Sequence, residues 1–386
     1  MIDWNDEQRQ LRRAAQRLGE SLSAGHLERD GRAEFSRDGW KLVQRSGLLA
    51  LPFDHRWGGL GQDLLTTMYV LEGLGHACRD SGLSFSLTTH VVSTGIPLQH
   101  FGSPELQERF MPAVCAGDLI GAHAISEPEA GSDMLALRTS ARVDGDELVL
   151  NGSKAFVTNG PVADVVVVYA RTDPAGGPFG ISAILVERDR EGLGFGRPVE
   201  KMGLRTSPLC EVFLDDCRVP TDNVIGGLGS GFLVFDHVMN WEVLCSFAVN
   251  VGEMQHRLER VVEYARSRKQ FGSHIGSFQA VAHRIVDMRI AVDTARRALY
   301  DAAARVVRNE QATEDVAIAK LLVSEGNMAT AVAAVETFGG YGYMTESGLE
   351  HDVRCALAGL IYSGTSDIQR NRIAKMMGLH GAAPGC

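Results

Sequence analysis

Five stretches of this 386-residue chain carry side chains whose type and spacing can do chemistry. The first, Ala124-Ile125-Ser126-Glu127-Pro128-Glu129-Ala130-Gly131-Ser132-Asp133, sets small and hydroxyl residues around one glycine. That composition suits a loop whose backbone N–H groups face a polar, anionic or electron-rich ligand. The second, Asn151-Gly152-Ser153-Lys154-Ala155-Phe156-Val157-Thr158-Asn159-Gly160, begins as a turn and continues as a strand. Phe156 and Thr158, two residues apart, fall on one face, serving either a ligand or ordinary sheet packing. In the third, Phe338-Gly339-Gly340-Tyr341-Gly342-Tyr343, glycines end a helix and admit another backbone or a phosphate, or simply form a C-cap and tight turn. The fourth, Ile361-Tyr362-Ser363-Gly364-Thr365-Ser366-Asp367-Ile368-Gln369-Arg370, spaces Ser366 and Gln369 as a capping box does and so opens a helix. The fifth is one carboxylate. Glu242 is the only Asp, Glu, Lys or Arg between Val238 and Gly252. A lone carboxylate in an apolar helix is either a single exposed position or a desolvated group whose pKa rises toward that of a working base.

The elements that must position these stretches emerge from the hydrophobic period. From Glu7 to about Leu119 apolar residues recur at three and four, as in Leu11, Ala14, Ala15 and Leu18 and again over Leu64–Leu74, so residues 1–119 read as a helical domain. Residues 120–225 change to β-branched runs (Asp164–Tyr169, Ile181–Val186, Val212–Leu214) parted by turns such as Asp144-Gly145-Asp146 and Pro174-Ala175-Gly176-Gly177, which predicts an antiparallel β-barrel or sandwich. Helices return over 226–386, where Phe278, Val281, Ile285, Met288 and Val292 form one face of a helix running to about Arg308. The cluster Gly226-Gly227-Leu228-Gly229-Ser230-Gly231 comes after a polar turn and no buried parallel strand, so it reads as a hinge and not as a dinucleotide loop.

Bulk properties narrow the function classes. A net charge of −10 argues against a nucleic-acid surface. The seven cysteines form no C-x-x-C pair, which speaks against a zinc cluster or a disulfide framework and for buried free thiols. No stretch of about 18 apolar residues suggests a membrane span, and Met1-Ile2-Asp3-Trp4 has no signal-peptide character, so a cytoplasmic protein is expected. The tail from Gly381 to Cys386 is expected to be disordered.

In order, spacing and α-β-α setting, these motifs resemble those of the acyl-CoA dehydrogenase flavoprotein family over essentially the full length. The segments at 124–133 and 336–354 are similar to its two signatures, and Arg268-Lys269-Gln270-Phe271-Gly272 with Phe278-Gln279 to a third cofactor element. The resemblance implies an α+β fold with an N-terminal helical domain, a middle antiparallel β-barrel and a C-terminal four-helix bundle, and it implies bound FAD. Ile125, Ser126 and Gly131 then meet the flavin, Ser132 the pyrophosphate or substrate side, Phe156 flanks the ring and Thr158 faces N5. Arg268, Phe271, Gln279 and the loop holding Glu336, Gly339 and Gly340 reach a neighbouring subunit's flavin, and Thr365 and Asp367 complete the site. Such sharing implies a homotetramer, or at least a dimer. Glu336 stands where the family often has Gln, and a carboxylate beside pyrophosphate needs a neutralising partner. His351 and Cys355 also depart from the second signature.

The family reaction takes a proton from the carbon beside the thioester carbonyl while a hydride leaves the β-carbon, and many members supply the base from a Tyr-Glu-Gly-Thr tetrad. Here the tetrad is Tyr362-Ser363-Gly364-Thr365, and an unactivated serine hydroxyl is no base. Either the chain is an inactive flavin binder or the carboxylate comes from elsewhere. Glu242 is the candidate, because isovaleryl-CoA and long-chain acyl-CoA dehydrogenases carry their base on this helix, although Val243 stands where those have Arg. The Ser363 main-chain N–H is then an oxyanion donor to the thioester carbonyl. Ser132, Asn240, Gly364 and His90 are candidate substrate contacts. Met239-Asn240-Trp241-Glu242 with Tyr-Ser-Gly-Thr-Ser-Asp is similar to acyl- and prolyl-carrier-protein dehydrogenases of secondary metabolism, so the implied substrate is an acyl thioester on CoA or on a carrier protein. An electron-transfer flavoprotein is the implied acceptor, with a flavin oxidase or monooxygenase as the alternative.

Overall fold

The structure, a computed structural model, describes residues 2–379, so the 381–386 tail lies outside the described residues. The N-terminal part is helical: α1 (Asp6–Ser23), α2 (His26–Arg32), α3 (Arg37–Ser46), α4 (Leu64–Ala77), α5 (Ser81–His90), α6 (Ile96–Phe101) and α7 (Pro104–Ala116). α1 opens on a capping box in which Asn5 accepts the Gln8 N–H and the Gln8 side chain accepts the Asn5 N–H. Between α5 and α6 the chain makes a π-helical turn, Val91–Gly95, which is wholly buried. Such turns insert one residue into a helix and shift the faces beyond it.

The middle part is one eight-stranded sheet: β1 (Gly121–Ala124), β2 (Ser140–Asp144), β3 (Glu147–Thr158), β4 (Val165–Arg171), β5 (Ile181–Glu187), β6 (Leu193–Phe195), β7 (Leu209–Pro220) and β8 (Val224–Ile225). The strand order is β6-β7-β3-β2-β4-β5-β8, with β1 also on β4. Pairing is antiparallel except where β1, and one residue pair of β2, run parallel to β4. Residues of β1 to β5, β7 and β8 meet in one apolar cluster, so the sheet curls around a core of its own. On β4, Val166, Val168 and Ala170 face that core while Val165, Val167 and Tyr169 face the helices. Burial on both faces explains the uninterrupted valine run.

The C-terminal part holds α8 (Gly231–Ser267), a short hairpin of β9 (Lys269–Gln270) and β10 (Ser273–His274), then α9 (Gln279–Val307), α10 (Thr313–Phe338), α11 (Gly340–Tyr343), α12 (Leu349–Ala358) and α13 (Ser366–Met376). The long helices α8, α9 and α10 pack on one another, and the shorter α12 and α13 both lie on α10. The glycine cluster is a tight turn with Gly226, Gly227 and Gly229 at φ of 79°, 90° and 80°. Gly229 donates its N–H to the Ser182 hydroxyl, and a Cβ on Gly231 would stand 2.8 Å from the Ile181 carbonyl oxygen, so the turn is docked on β5. Both α8 and α10 contain a stretch long and apolar enough to cross a membrane, but half or more of each such stretch is packed inside the protein. They are core helices of the bundle. The six described cysteines are free and buried.

Candidate active site

Glu242 lies on α8 where the helix passes under the chain leaving α12. Its carboxylate accepts two hydrogen bonds from different elements: the Ser363 hydroxyl donates to Oε1 at 2.6 Å and the Ser93 hydroxyl to Oε2 at 3.3 Å. Burial pushes the carboxyl above the ordinary range, and the two hydroxyls act in the opposite direction. The Ser363 geometry comes from its backbone. Ser363 and Gly364 are consecutive left-handed residues, at φ of 54° and 80°, and Gln369 Nε2 holds the Ser363 carbonyl oxygen at 2.9 Å. The Ser363 N–H takes no part in the main-chain hydrogen bonds of this turn. The next helix, α13, is capped by Thr365, whose hydroxyl accepts the Ile368 N–H at 3.2 Å, and not by Ser366. The capping-box spacing misplaced the cap by one residue, because Gln369 turns back to the Ser363 carbonyl instead of closing the box.

The second group of expected residues gathers where β1 ends beside β3. Ser126 accepts the Ala155 N–H through its carbonyl at 2.8 Å, and the Ile125 carbonyl accepts Lys154 Nζ at 2.9 Å. The same ammonium meets Glu127 Oε1 at 2.7 Å, while the Glu127 carboxylate also takes the N–H groups of Arg138 and Thr139 at 2.7 and 2.9 Å. Sequence reasoning missed this ion pair, although it pins both ends of the glycine loop. Its signal was a lysine in an otherwise apolar strand position. Phe156 sits where the β3–β7 register shifts, at φ of 57°, with its ring 70% exposed. Gly131 and Ser132 are exposed, and nothing stands within 4 Å of where a Gly131 Cβ would be. Thr158 is half-buried and Asp367 exposed.

The third group lies at the far ends of the long helices. Arg268 ends α8 with its guanidinium 5.5 Å from the Tyr341 ring centroid, and Phe271, at the hairpin tip, is 95% exposed at φ of 50°. Gln279 begins α9, while Gly339, at φ of 61°, and Gly340 come directly after α10. Glu336 is neutralised by Arg284, 3.2 Å away, which answers the charge problem raised by its position. From Glu242 to Arg268 is about 40 Å along the axis at the helical rise. One chain therefore does not bring this group to its own carboxylate.

One expected substrate contact is corrected. His90 is fully buried, its Nε2 on the Val114 carbonyl oxygen at 2.9 Å and its Nδ1 accepting the Gly121 N–H at 3.0 Å, with Trp40 edge-on to the ring. It is a satisfied core histidine with no atom left for a ligand. Asn240 is half-buried on α8, two residues before Glu242. His351 and Cys355 are buried in the contact between α12 and the 204 loop, where Cys355 Sγ accepts the Leu204 N–H at 3.3 Å.

The surfaces left open suit a large planar cofactor. Tyr169 Oη and His123 Nε2 are buried without partners among the described residues, their rings 5.1 Å apart on neighbouring strands, and the Glu242 charge bears on Tyr169. Buried polar atoms of this kind ordinarily find partners. The exposed Phe156 ring and the uncrowded Gly131 loop leave surface for a ligand to cover, while the Tyr169 and His123 atoms stay orphaned in the interior. A sheet and a helical bundle that meet at a desolvated carboxylate, with an exposed aromatic ring and an open glycine loop on the sheet, fit a cofactor-dependent enzyme of carbon-acid chemistry. Family models for the N-terminal, middle and C-terminal domains of acyl-CoA dehydrogenase match residues 5–118, 122–217 and 229–378, and the chain belongs to that family. It is 37% identical over 382 residues, 98% of this chain and 100% of the relative, to an L-prolyl-peptidyl-carrier protein dehydrogenase of Pseudomonas fluorescens. Among solved structures it is similar to the prolyl acyl carrier protein oxidase AnaB (TM-score 0.95, 40% identity, 98% of this chain and 100% of that one) and to PigA with FAD and proline (TM-score 0.96, 36% identity, 99% and 100%). The chain is an FAD-dependent oxidoreductase that dehydrogenates acyl thioesters.

Proposed function

We propose that the substrate is a short acyl group carried as a thioester on a carrier protein, with a prolyl group the first candidate and a CoA thioester the alternative, and that Glu242 is the base. The observation that carries this reading is the contact between Glu242 Oε1 and Ser363 Oγ at 2.6 Å. A carboxylate from α8 reaches the residue that replaces the glutamate of the Tyr-Glu-Gly-Thr tetrad. Glu242 takes the proton from the carbon beside the thioester carbonyl, and the Ser363 N–H stabilises charge on the carbonyl oxygen. FAD, when bound, accepts the hydride from the β-carbon. Ile125, Ser126, Gly131, Phe156 and Thr158 hold its ring, with Ser132 toward the pyrophosphate or substrate. Thr365 and Asp367 close the site, and Gly364 lets the thioester approach. Arg268, Phe271, Gln279, Glu336, Gly339 and Gly340 serve the cofactor of a neighbouring copy in a homo-oligomer. Tyr362, whose ring packs between Phe85 and Phe247 at 4.8 and 5.1 Å, anchors the backbone that presents Ser363. The full-length likeness to a prolyl-carrier-protein dehydrogenase supports the carrier.

Glu242→Gln is expected to keep FAD while losing about 10²–10⁴-fold in the rate at which prolyl carrier protein bleaches the flavin absorbance. Full-rate bleaching by that variant would sink the assignment. AnaB is named an oxidase, which favours oxygen as a second reading of the acceptor. Rapid recovery of absorbance in air supports oxygen, whereas recovery only on adding an electron-transfer flavoprotein supports that partner.

A further inference from the structure

The carboxylate of Glu242 is gripped by hydroxyls from two segments that are remote in sequence. Ser93 sits in the middle of the Val91–Gly95 π-turn and is 1% exposed. The π-turn presents residue 93 toward α8, where its hydroxyl reaches Glu242. Ser363 is presented by the left-handed pair Ser363–Gly364, which Gln369 fixes from behind. Each hydroxyl takes a different oxygen of the carboxylate.

We propose that Ser93 and Ser363 act as a pair of positioning residues, whose hydroxyls hold the two oxygens of the Glu242 carboxylate in one orientation. The proposal rests on Glu242 being the base. A neutral donor suits that task better than a cation. An arginine at either place stabilises the anion so far that it becomes a poor proton acceptor, whereas a hydroxyl offsets only part of the burial. Glu242 itself feels burial and the two hydroxyls, with no charged side chain among the described residues contributing.

The titratable groups that face this part of α8 are few. Tyr169 on β4 and Tyr362 beside Ser363 are both pushed up by burial and stay neutral. His100 on α6 and His237 on α8 are both pushed down by burial, His237 to about 4. Lys320 on α10, 5.7 Å from the Phe247 ring, is brought down to about 8 by burial, so it titrates on the alkaline side. Burial pushes the Glu242 carboxyl up and the two hydroxyls act against it, so removing either hydroxyl raises it further.

The test uses the FAD-loaded enzyme and a prolyl carrier protein. Substrate-driven bleaching is followed by stopped flow against pH for the natural chain, Ser93→Ala, Ser363→Ala and the double variant. In parallel, an infrared titration without substrate follows the protonated-carboxyl band that Glu242→Gln removes. Both readouts are expected to move to higher pH, by roughly one pH unit for Ser363→Ala and less for the longer Ser93 bond, with the double variant moving furthest. The rate loss is then largest below the natural midpoint and shrinks as pH rises. Ser363→Gly, which suits the left-handed backbone and also lacks the hydroxyl, is expected to match Ser363→Ala and so separates the hydroxyl from any folding effect. An unmoved carboxyl band in the serine variants overturns the clamp, even where Glu242→Gln is inactive. Full bleaching by Glu242→Gln overturns the base assignment instead, whatever the band does.

Discussion

Lys154 Nζ stands between the Ile125 carbonyl and the Glu127 carboxylate, buried beside both. Removing one partner of such a pair leaves the other charge unpaired in the interior, which is why these pairs are costly to break. Burial alone pushes Glu127 up, but Lys154 and the Thr139 and Arg138 contacts outweigh it and bring the carboxyl down to about 2. Asp30 is likewise pushed up by burial and brought down to about 2 by His351 and Arg354. A carboxyl whose folded pKa lies below its unfolded one stabilises the protein fully above the unfolded value and loses that contribution as pH falls toward the folded value. Stability is therefore expected to hold above about pH 4.5 and to decline progressively toward pH 2, read as a falling urea midpoint. In Lys154→Met the Glu127 share of that slope should vanish. At this scale Glu242 was legible as a lone charge in an apolar helix. Ser93 was not, because nothing in its local sequence distinguishes it from other small residues of a buried helix.

Where α4 crosses α8, two glycines let the backbones approach closely. A Cβ on Gly75 would meet the Val249 carbonyl oxygen at 2.1 Å, and one on Gly252 the Glu72 carbonyl oxygen at 2.1 Å. Both obstacles are backbone, so an added methyl must part the helices. Gly252→Ala is expected to lower stability by about 1–3 kcal/mol in urea unfolding. Because Glu242 lies on α8, the rate of substrate bleaching should fall with it. An unchanged midpoint would show that the crossing can relax. The elements themselves were legible in the periodicity: β4 and β5 appear within a few residues of the expected runs, and α9 buries Met288 and Val292 on the expected face. The exposed first turns of α9 and the parallel β1–β4 pairing were not, since period reveals which face is apolar but not what will cover it or which strand will pair.

Across the whole molecule, two groups of residues that resemble one cofactor site stand about 40 Å apart along α8. Phe271 presents an almost bare aromatic ring and Arg268 lies beside Tyr341, and no side chain among the described residues buries that ring. The proposed second copy would supply the missing surface. Phe271→Ala is then expected to weaken FAD retention at least tenfold and to loosen subunit association in sedimentation, while the protomer's urea stability stays within about 0.5 kcal/mol. Unaltered FAD retention and assembly would refute the shared site.

From the residues came the α-β-α order and the isolation of Glu242, which are properties of local type and period, while the flavin motifs and the missing tetrad glutamate came from the resemblance to the family. Whether that isolated carboxylate was exposed or desolvated depended on what the fold stacked against α8. Its two hydroxyl partners come from a π-turn and from a loop more than a hundred residues distant on either side, and His90, plausible by position, was consumed by the Val114 and Gly121 backbone. Burial and long-range hydrogen bonds are set only when separate elements meet, which is why the tertiary structure decided the environment of the carboxylate.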